Sequence, residues 1–258
     1  MSTYPDDIYA DPANCSPDTL ANLGPLAPLA GVWEGEGGVD IAPKREGART
    51  QGFVERISLQ PVDPGNNGPQ LLYALRYHTR MTKPGEIGTY HDQVGYWLWE
   101  PATETVMHSL TIPRGQTVLA VGKAKADAKT FTLTAERGTT AYGICSNPYL
   151  EENFRTDSFT ITVTVHDDGT WSYDEDTVMQ VGRTRRSTTA IPTVCAAWRR
   201  RRPIRSRHKK LSYTASFRLA GGHDLRCRLA ACFRKLCLSY KARIQGRRGP
   251  QLPPLPDL

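Results

Sequence analysis

The residues with the clearest capacity for chemistry are four histidines, His78, His91, His108 and His166. Neutral imidazole is the commonest side-chain ligand for a metal, and its charge changes close to neutral pH. A histidine near a strand end or a turn is more often solvated or hydrogen-bonded to a neighbour. His108 follows Met107 inside an apolar strand pattern and is therefore the candidate best placed inside a fold.

Other constellations that could support catalysis are weak. No Ser-His-Asp or Cys-His arrangement has useful spacing, and the carboxylate pairs Glu151-Glu152 and Asp167-Asp168 lie in turn sequences typical of solvated caps. The sequence therefore gives no support to a hydrolase, and we assign no catalytic residue.

The most specific local pattern is a G-x-W-x-G-x-G motif formed by Gly31, Trp33, Gly35 and Gly37. Glycines at alternate positions leave one face of a strand bare, so that another backbone or a flat ligand can approach it closely. The tryptophan supplies a large packing surface with an N–H group that needs a partner. The motif fits either a ligand cavity or a packing plug at the end of a barrel.

The elements around these residues have the period-two alternation of strands with one buried face. Short strands at regular spacing, without a convincing long amphipathic helix, predict an all-β antiparallel barrel in preference to a sandwich. About nine strands would surround a wider cavity than eight. Residues 1–25 are expected to be an extended lead-in. The candidate strands are Val32–Val39, Phe53–Leu59, Leu71–His78, Gln93–Trp99, Val106–Ile112, Thr117–Gly122, Thr130–Ala135, Ser158–His166 and Trp171–Gln180.

Charge divides the chain near residue 182. The first 181 residues carry 13 basic and 24 acidic side chains, a net charge of −11, whereas residues 182–258 carry 20 and 2, a net charge of +18. The second region has no periodic apolar pattern, and we expect it to be a disordered basic tail outside the barrel. Its segment 198–210 could bind phosphates through charge alone, but it lacks interleaved aromatics, so we expect no dedicated nucleic-acid module.

Compartment and assembly are predicted only in outline. The acidic N-terminus lacks an apolar signal-peptide region, and no apolar run approaches the length of a membrane span. A reducing cytoplasmic location is the expectation, and a homodimer is left open. The spacing of Cys227, Cys232 and Cys237 is not that of a zinc site.

Six segments between residues 26 and 181 form an ordered set. They are, in order, LAPLAGVWEGEG, HDQVGYWLWEPAT, IPRG, GICSNPYL, FRTDSFTITVT and DGTWSYDEDTV. With these segments the sequence resembles, over residues 26–181, the nitrobindin family of haem-binding β-barrels. The resemblance implies a ten-stranded antiparallel up-and-down barrel, similar to lipocalins and fatty-acid-binding proteins, with ferric haem b near its open end. It also implies nitric oxide binding and conversion of peroxynitrite to nitrate, and it assigns the family's motif to the Gly31–Gly37 segment.

The axial ligand of the family has no counterpart at the expected place. In the family it is a histidine of the last strand, in a setting like Phe-His-His-x-Asp-x-Asn. This chain continues after Gln180 with VGRTRRSTTAIP, and its next histidine is His208, in a basic context. The resemblance therefore predicts a barrel without its last strand, weak or absent haem binding, and no isomerase activity.

Substitutes for the missing ligand can be named. His108 is the first candidate, and Cys145 and Met179 are alternatives with less support. Arg114, Lys123 and Arg155 would pair with haem propionates if they line the mouth of the barrel.

The composition of residues 182–258 suggests an out-of-frame reading of GC-rich DNA. The segment Arg186–Trp198 can be back-translated so that a shift of two bases reads Pro-Phe-His-His-Ser-Asp-Pro-Asn, which resembles the family's last strand. We interpret the tail as a frameshift product that begins close to residue 182.

Three functions follow as hypotheses. The first is a nitrobindin-like barrel that lacks its haem ligand. The second is a carrier of a fatty acid or another small apolar molecule. The third is an active peroxynitrite isomerase with a substitute ligand. A Soret band on adding hemin, or displacement of a fluorescent fatty acid, would discriminate between them.

Overall fold

The structure is a computed structural model that describes residues 4–182 and the backbone of 185–191. Eleven strands form one sheet, and the turns between them contain the Gly, Pro and Asp residues that the sequence places there. The strands are β1 Gly31–Lys44, β2 Gly47–Asn67, β3 Gln70–Thr82, β4 Thr89–Glu100, β5 Thr105–Ile112, β6 Gln116–Lys123, β7 Thr130–Arg137, β8 Gly143–Ser146, β9 Phe154–Val165, β10 Trp171–Val181 and β11 Arg185–Ile191.

The sheet has the order β1-β2-β3-β4-β5-β6-β8-β7-β9-β10-β11. Neighbours are antiparallel except for β7 and the short β8, which run parallel over two residue pairs. β1 and β11 are the two ends of this order, and they lie beside each other with Cα atoms within 8 Å. The chain therefore winds up and down around one interior, as the predicted all-β barrel requires.

The predicted end of the barrel at residue 181 is wrong by one strand. β11 pairs with β10 from Val181↔Arg185 to Glu175↔Ile191. Seven residues of the predicted tail therefore belong to the sheet. The last strand is present, but its sequence differs from that of the family's last strand. The sequence did not predict it because RRSTTAI has no apolar alternation. The remaining predictions for the tail, including those on residues 198–210 and on the tail cysteines, concern residues outside those described.

The lead-in is not extended up to residue 25. Two 3-10 helices, Leu20–Asn22 and Gly24–Leu29, fold it across one end of the barrel. Leu23, Leu26 and Leu29 are fully buried there. Gly24 has a φ of 54° and lies so close to the ring of Trp99 that a Cβ would be 2.5 Å from it. This end of the barrel is consequently closed by apolar packing.

Among the described residues there is one α-helix, α1, which covers Pro148–Asn153. Its N-cap Asn147 accepts a hydrogen bond from the Leu150 N–H at 3.1 Å, as expected at a helix start. In the part of the chain that the structure describes, no helix is both long and apolar enough to cross a membrane.

Candidate ligand cavity

A cavity occupies the barrel interior on the side away from the closed end. Its free volume is small, about 30 Å³, which is room for water-sized groups. The lining is apolar and aromatic, with a set of titratable groups in between. It consists of Glu55, Ile57, Tyr77, Thr79, Met81, His91, Gln93, Trp97, His108, Ile161, Trp171, Tyr173 and Glu175.

One side of the cavity is a chain of hydrogen bonds. His91 Nε2 lies 3.2 Å from Gln93 Oε1, and the Gln93 amide donates to the Tyr77 hydroxyl at 2.7 Å. The Tyr77 hydroxyl is in turn 2.8 Å from Nε2 of His108. This series of hydrogen bonds connects the imidazole of His91, near the rim, with that of His108, which is 1% exposed.

The direction of these bonds follows from the donors available. Because the Tyr77 oxygen accepts from Gln93, its proton is best used as a donor to His108 Nε2. The proton of His108 then lies on Nδ1, a buried atom with no hydrogen-bond partner among the described groups. Burial lowers the pKa of His108 to about 3 and also lowers the pKa of His91. Both imidazoles are therefore neutral at pH 7.

The ring of His108 is held by register as well as by hydrogen bonding. His108 on β5 is the direct cross-strand partner of Trp97 on β4. Their rings stack with centroids 3.8 Å apart and an interplanar angle of 11°. Cross-strand pairs on one face of a sheet contact in this way. One face of the imidazole is thus covered by the indole.

The other side of the cavity contains two carboxyls. Glu55 on β2 is 1% exposed and accepts a hydrogen bond from the Tyr173 hydroxyl at 2.9 Å, which links β2 to β10. Burial raises the pKa of Glu55 to about 8, and the charge of Glu175 adds to the increase while the Tyr173 bond opposes it. Glu175 is partly buried, and burial followed by the charge of Asp40 raises its pKa to about 7.

The G-x-W-x-G-x-G residues lie beside the cavity and do not line it. Trp33 is 2% exposed, and its indole N–H donates to the Leu29 carbonyl at 2.7 Å. Its ring meets that of Trp171 edge-on at 6.1 Å. Of the two interpretations of the motif, this placement favours the packing plug for Trp33.

The glycines of the motif act on the backbone of β1. The register of β1 with β2 shifts around Gly37, which has a φ of 93°. Gly31 begins the strand, opposite Leu59. Gly35 is the cross-strand partner of Glu55, so the position next to this carboxyl has no side chain. The motif contributes indirectly to the polar side of the cavity.

The structure separates the other histidines from this site. His78 Nε2 lies 3.0 Å from an Asp92 oxygen at an exposed position, and His166 bonds Ser172 near a turn. Cys145 is exposed. Of the four histidines considered from the sequence, His91 and His108 line the cavity.

The three predicted propionate partners are dispersed. Lys123 Nζ donates to the Thr103 carbonyl at 2.7 Å, and Arg155 pairs with Asp157 at 2.7 Å. Arg114 is the one whose charge acts on a cavity residue, since it lowers the pKa of His91. None of the three belongs to the described lining of the cavity.

Sequence reasoning missed the two carboxyls, although a signal was present. Trp171, Tyr173 and Glu175 alternate with the polar residues Ser172 and Asp174, and Glu55 lies two positions from both Phe53 and Ile57. An acidic residue at an inward position of a strand is unusual and marks a functional group. The period-two pattern could therefore have identified them.

The described residues do not fit a haem bound at His108. The imidazole is stacked on Trp97, its Nε2 is engaged by Tyr77, and the free volume beside it is about 30 Å³. A porphyrin is many times larger than this space. In the same part of the chain, no three His, Cys, Asp or Glu side chains are grouped so that they could hold a metal ion.

Fold and site together define an antiparallel β-barrel with an internal cavity, closed at one end by the lead-in. Comparison with protein families gives the class more closely. Residues 22–191 match the THAP4-like, heme-binding beta-barrel domain, and the chain belongs to this family. The match ends at the last residue of β11 and confirms the resemblance to nitrobindins.

A solved structure with similarity to this chain is the crystal structure of Rv2717c from M. tuberculosis. It is 20% identical in sequence, the similarity covers 73% of this chain and 100% of that one, and the TM-score is 0.47. No curated protein matches the chain.

Proposed function

We propose that this barrel is a member of the haem-binding family that holds a small ligand in its cavity and binds haem weakly or not at all. The isomerase activity that depends on bound haem is then absent. The observation that carries the proposal is the state of His108, the most deeply buried imidazole of the cavity. Its ring stacks on Trp97 and its Nε2 lies 2.8 Å from the Tyr77 hydroxyl.

A histidine that serves as an axial ligand needs a ring nitrogen with an available lone pair and enough open space beside that nitrogen for the porphyrin. In His108 the lone pair of Nε2 accepts from the Tyr77 hydroxyl, while Nδ1 carries the proton and is buried beside a free volume of about 30 Å³. Haem binding through His108 would require Trp97 or Tyr77 to move, with loss of the stack or of the hydrogen bond. These contacts support the small-ligand function over a substitute-ligand isomerase.

A fatty acid is also a poor fit to this cavity. Ionisation of Glu55 or Glu175 beside its carboxylate would bring like charges together in a partly dry site, where they repel strongly, so both carboxyls would have to stay protonated. Neutral or positively charged ligands avoid this repulsion.

Hemin titration tests the proposal. We expect the full chain to show weak binding without the spectrum of a His-ligated ferric haem, and His108→Ala to leave the titration unchanged. His166→Ala is the matched control, because His166 bonds Ser172 away from the cavity. A His-type spectrum that disappears in His108→Ala alone would refute the proposal and identify the ligand.

A further inference from the structure

The two carboxyls of the cavity have no positive partner among the described residues that line it. The thirteen lining residues include neither lysine nor arginine. The charges that act on the pair are negative, since Glu175 raises the pKa of Glu55 and Asp40 raises the pKa of Glu175. Arg114 acts further out, on Asp40 and His91.

Buried carboxyls without a cation are costly, and such groups occur chiefly where a function requires them. Glu55 has one visible hydrogen bond, from Tyr173, for a side chain that is 1% exposed. Replacing both carboxyls by apolar groups would remove this cost. A cation inside the cavity offsets it, and no side chain of the described lining supplies that cation.

We propose that the cavity binds a small organic cation, a protonated primary amine, through the carboxyls of Glu55 and Glu175. The inference rests on the proposed small-ligand function and names the chemical class of the ligand. The ammonium group provides hydrogen-bond donors and a charge for both carboxyls. The apolar part of the amine packs against the aromatic lining.

That lining suits a cation with a short apolar body. The ring centroids of Trp171 and Tyr173 lie 6.0 Å apart. The hydroxyl of Tyr173 donates the hydrogen bond to Glu55, so both rings are close to this carboxyl. Aromatic faces attract an ammonium group within about 6 Å of the ring. The free volume of about 30 Å³ restricts the ligand to a few heavy atoms unless side chains move.

Binding of the cation is coupled to protons. A positive charge favours the ionised form of both carboxyls, so amine binding near pH 7 releases protons from them. The other titratable groups that face this site are neutral imidazoles and phenols, together with one further carboxyl. They are His91, His108, Tyr77, Tyr173 and Asp40.

A matched series of probes tests the charge requirement. Propylamine, 1-propanol and propionate have similar size and carry a positive, a neutral and a negative head group at pH 7. We expect the full chain to bind propylamine at least ten times more tightly than 1-propanol, and propionate most weakly. The indole N–H signals of Trp97 and Trp171 in NMR spectra report occupancy, because both rings line the cavity. Calorimetry in buffers of different ionisation enthalpy measures the released protons.

Glutamine variants, which are neutral and of the same size as glutamate, show which carboxyls cause the preference for the amine. Glu175→Gln and Glu55→Gln should each reduce the preference for the amine over the alcohol to about threefold or less and suppress proton release. Glu136→Gln, at an exposed position of β7, should leave both unchanged. Thermal unfolding of each variant confirms that it is folded before binding is measured.

Equal binding of propylamine and 1-propanol would overturn the amine assignment while leaving a small-ligand cavity in place. A preference for propionate, no binding by any probe, or a preference that persists in both glutamine variants would also overturn it. The hemin titration is independent of these outcomes, so failure of the proposed function would be recognised separately.

Discussion

The closed end of the barrel and its cavity are built from the same strands but satisfy their polar groups differently. At the closed end, fully buried leucines surround Trp33, whose N–H donates to the Leu29 carbonyl at 2.7 Å. In the cavity, His108 Nδ1 is buried without a partner among the described groups, and Glu55 is buried as a carboxyl with a raised pKa.

The change of character occurs within single strands. On β2, Leu59 is fully buried at the closed end, and Glu55 takes the same inward face four residues earlier. On β10, Trp171 is 2% exposed and Glu175 lines the cavity. The alternation therefore continues while apolar residues give way to ionisable ones. The closed end is optimised for stability, and the cavity retains groups that cost stability.

The closed end should show the largest effect of a single substitution. Trp33→Ala removes a 2%-exposed indole, its edge contact with Trp171 and its bond to Leu29. We expect the free energy of unfolding to fall by about 3–5 kcal/mol, measured by urea denaturation.

Tyr96→Ala is the control for that substitution, because Tyr96 is an aromatic residue on the same sheet that is 43% exposed. It should change the free energy of unfolding by less than about 1 kcal/mol. Similar losses in the two variants would contradict the assignment of Trp33 to a packing plug.

A substitution in the cavity, Glu55→Gln, is expected to raise the free energy of unfolding, by a smaller amount than Trp33→Ala lowers it. The pKa of Glu55 is about 8 in the folded chain, against an ordinary value of 4.5. The folded state therefore holds more protons than the unfolded state, and stability is lost as pH rises between these two values. Glu55→Gln does not titrate and should be more stable than the parent at pH 8.5 by roughly 1–3 kcal/mol.

The gain from Glu55→Gln should become small near pH 4.5, where the parent carboxyl is protonated in the folded state and half protonated in the unfolded state. Thermal unfolding across this pH range measures the difference. Glu136→Gln, whose side chain is exposed, should follow the parent at every pH. A gain that does not depend on pH would show that burial of the Glu55 charge is not its cause.

The acid side of the stability profile should depend on His108. The pKa of His108 is lowered to about 3 in the folded chain, so the unfolded state takes up a proton first as pH falls below 6.5. His108→Phe keeps a ring for the stack on Trp97 but cannot titrate. It should lose roughly 1 kcal/mol at pH 7 with the Tyr77 bond and show a weaker decline of stability between pH 6.5 and 4.

His166→Phe provides the comparison, since His166 is near a turn and its substitution leaves the cavity intact. The acid decline of this variant should match the parent. If His108→Phe also matched the parent, the pKa of His108 in the folded chain would be close to its ordinary value.

How much the sequence could predict depends on whether a pattern is local. Strand alternation and turn residues are local, and they predicted the barrel and most of its strands. The pairing of Glu55 with Tyr173 joins residues 118 positions apart, and the stack of His108 on Trp97 depends on the register of two strands. β11 pairs along the edge of β10, and the β propensity of Thr188, Thr189 and Ile191 does not by itself indicate that pairing.

The smallest change in the free energy of unfolding is expected when the shifted reading frame of the last strand is restored. A barrel that had lost this strand would leave β1 and β10 each without a neighbour, and restoring the shifted frame would then raise the melting temperature. The structure places β11 on β10 with the present sequence, so no edge of β10 needs to be filled. Restoration should then change the free energy of unfolding by no more than about 1 kcal/mol, as exchanges within a formed strand do.

Haem binding, in contrast, should respond strongly to this restoration. In the shifted reading, histidines replace Thr188 and Thr189, and residue 189 is the register partner of Thr177, two positions along β10 from Glu175. Because side chains alternate along a strand, Thr177 lies on the same face of β10 as Glu175, which lines the cavity. We expect a Soret band typical of a His-ligated ferric haem in the restored chain, with the side chains that now fill the cavity displaced to admit the porphyrin, and loss of the band when residue 189 is changed to Ala. A frame-restored chain that binds hemin no better than the parent would contradict the frameshift interpretation of residues 182–258.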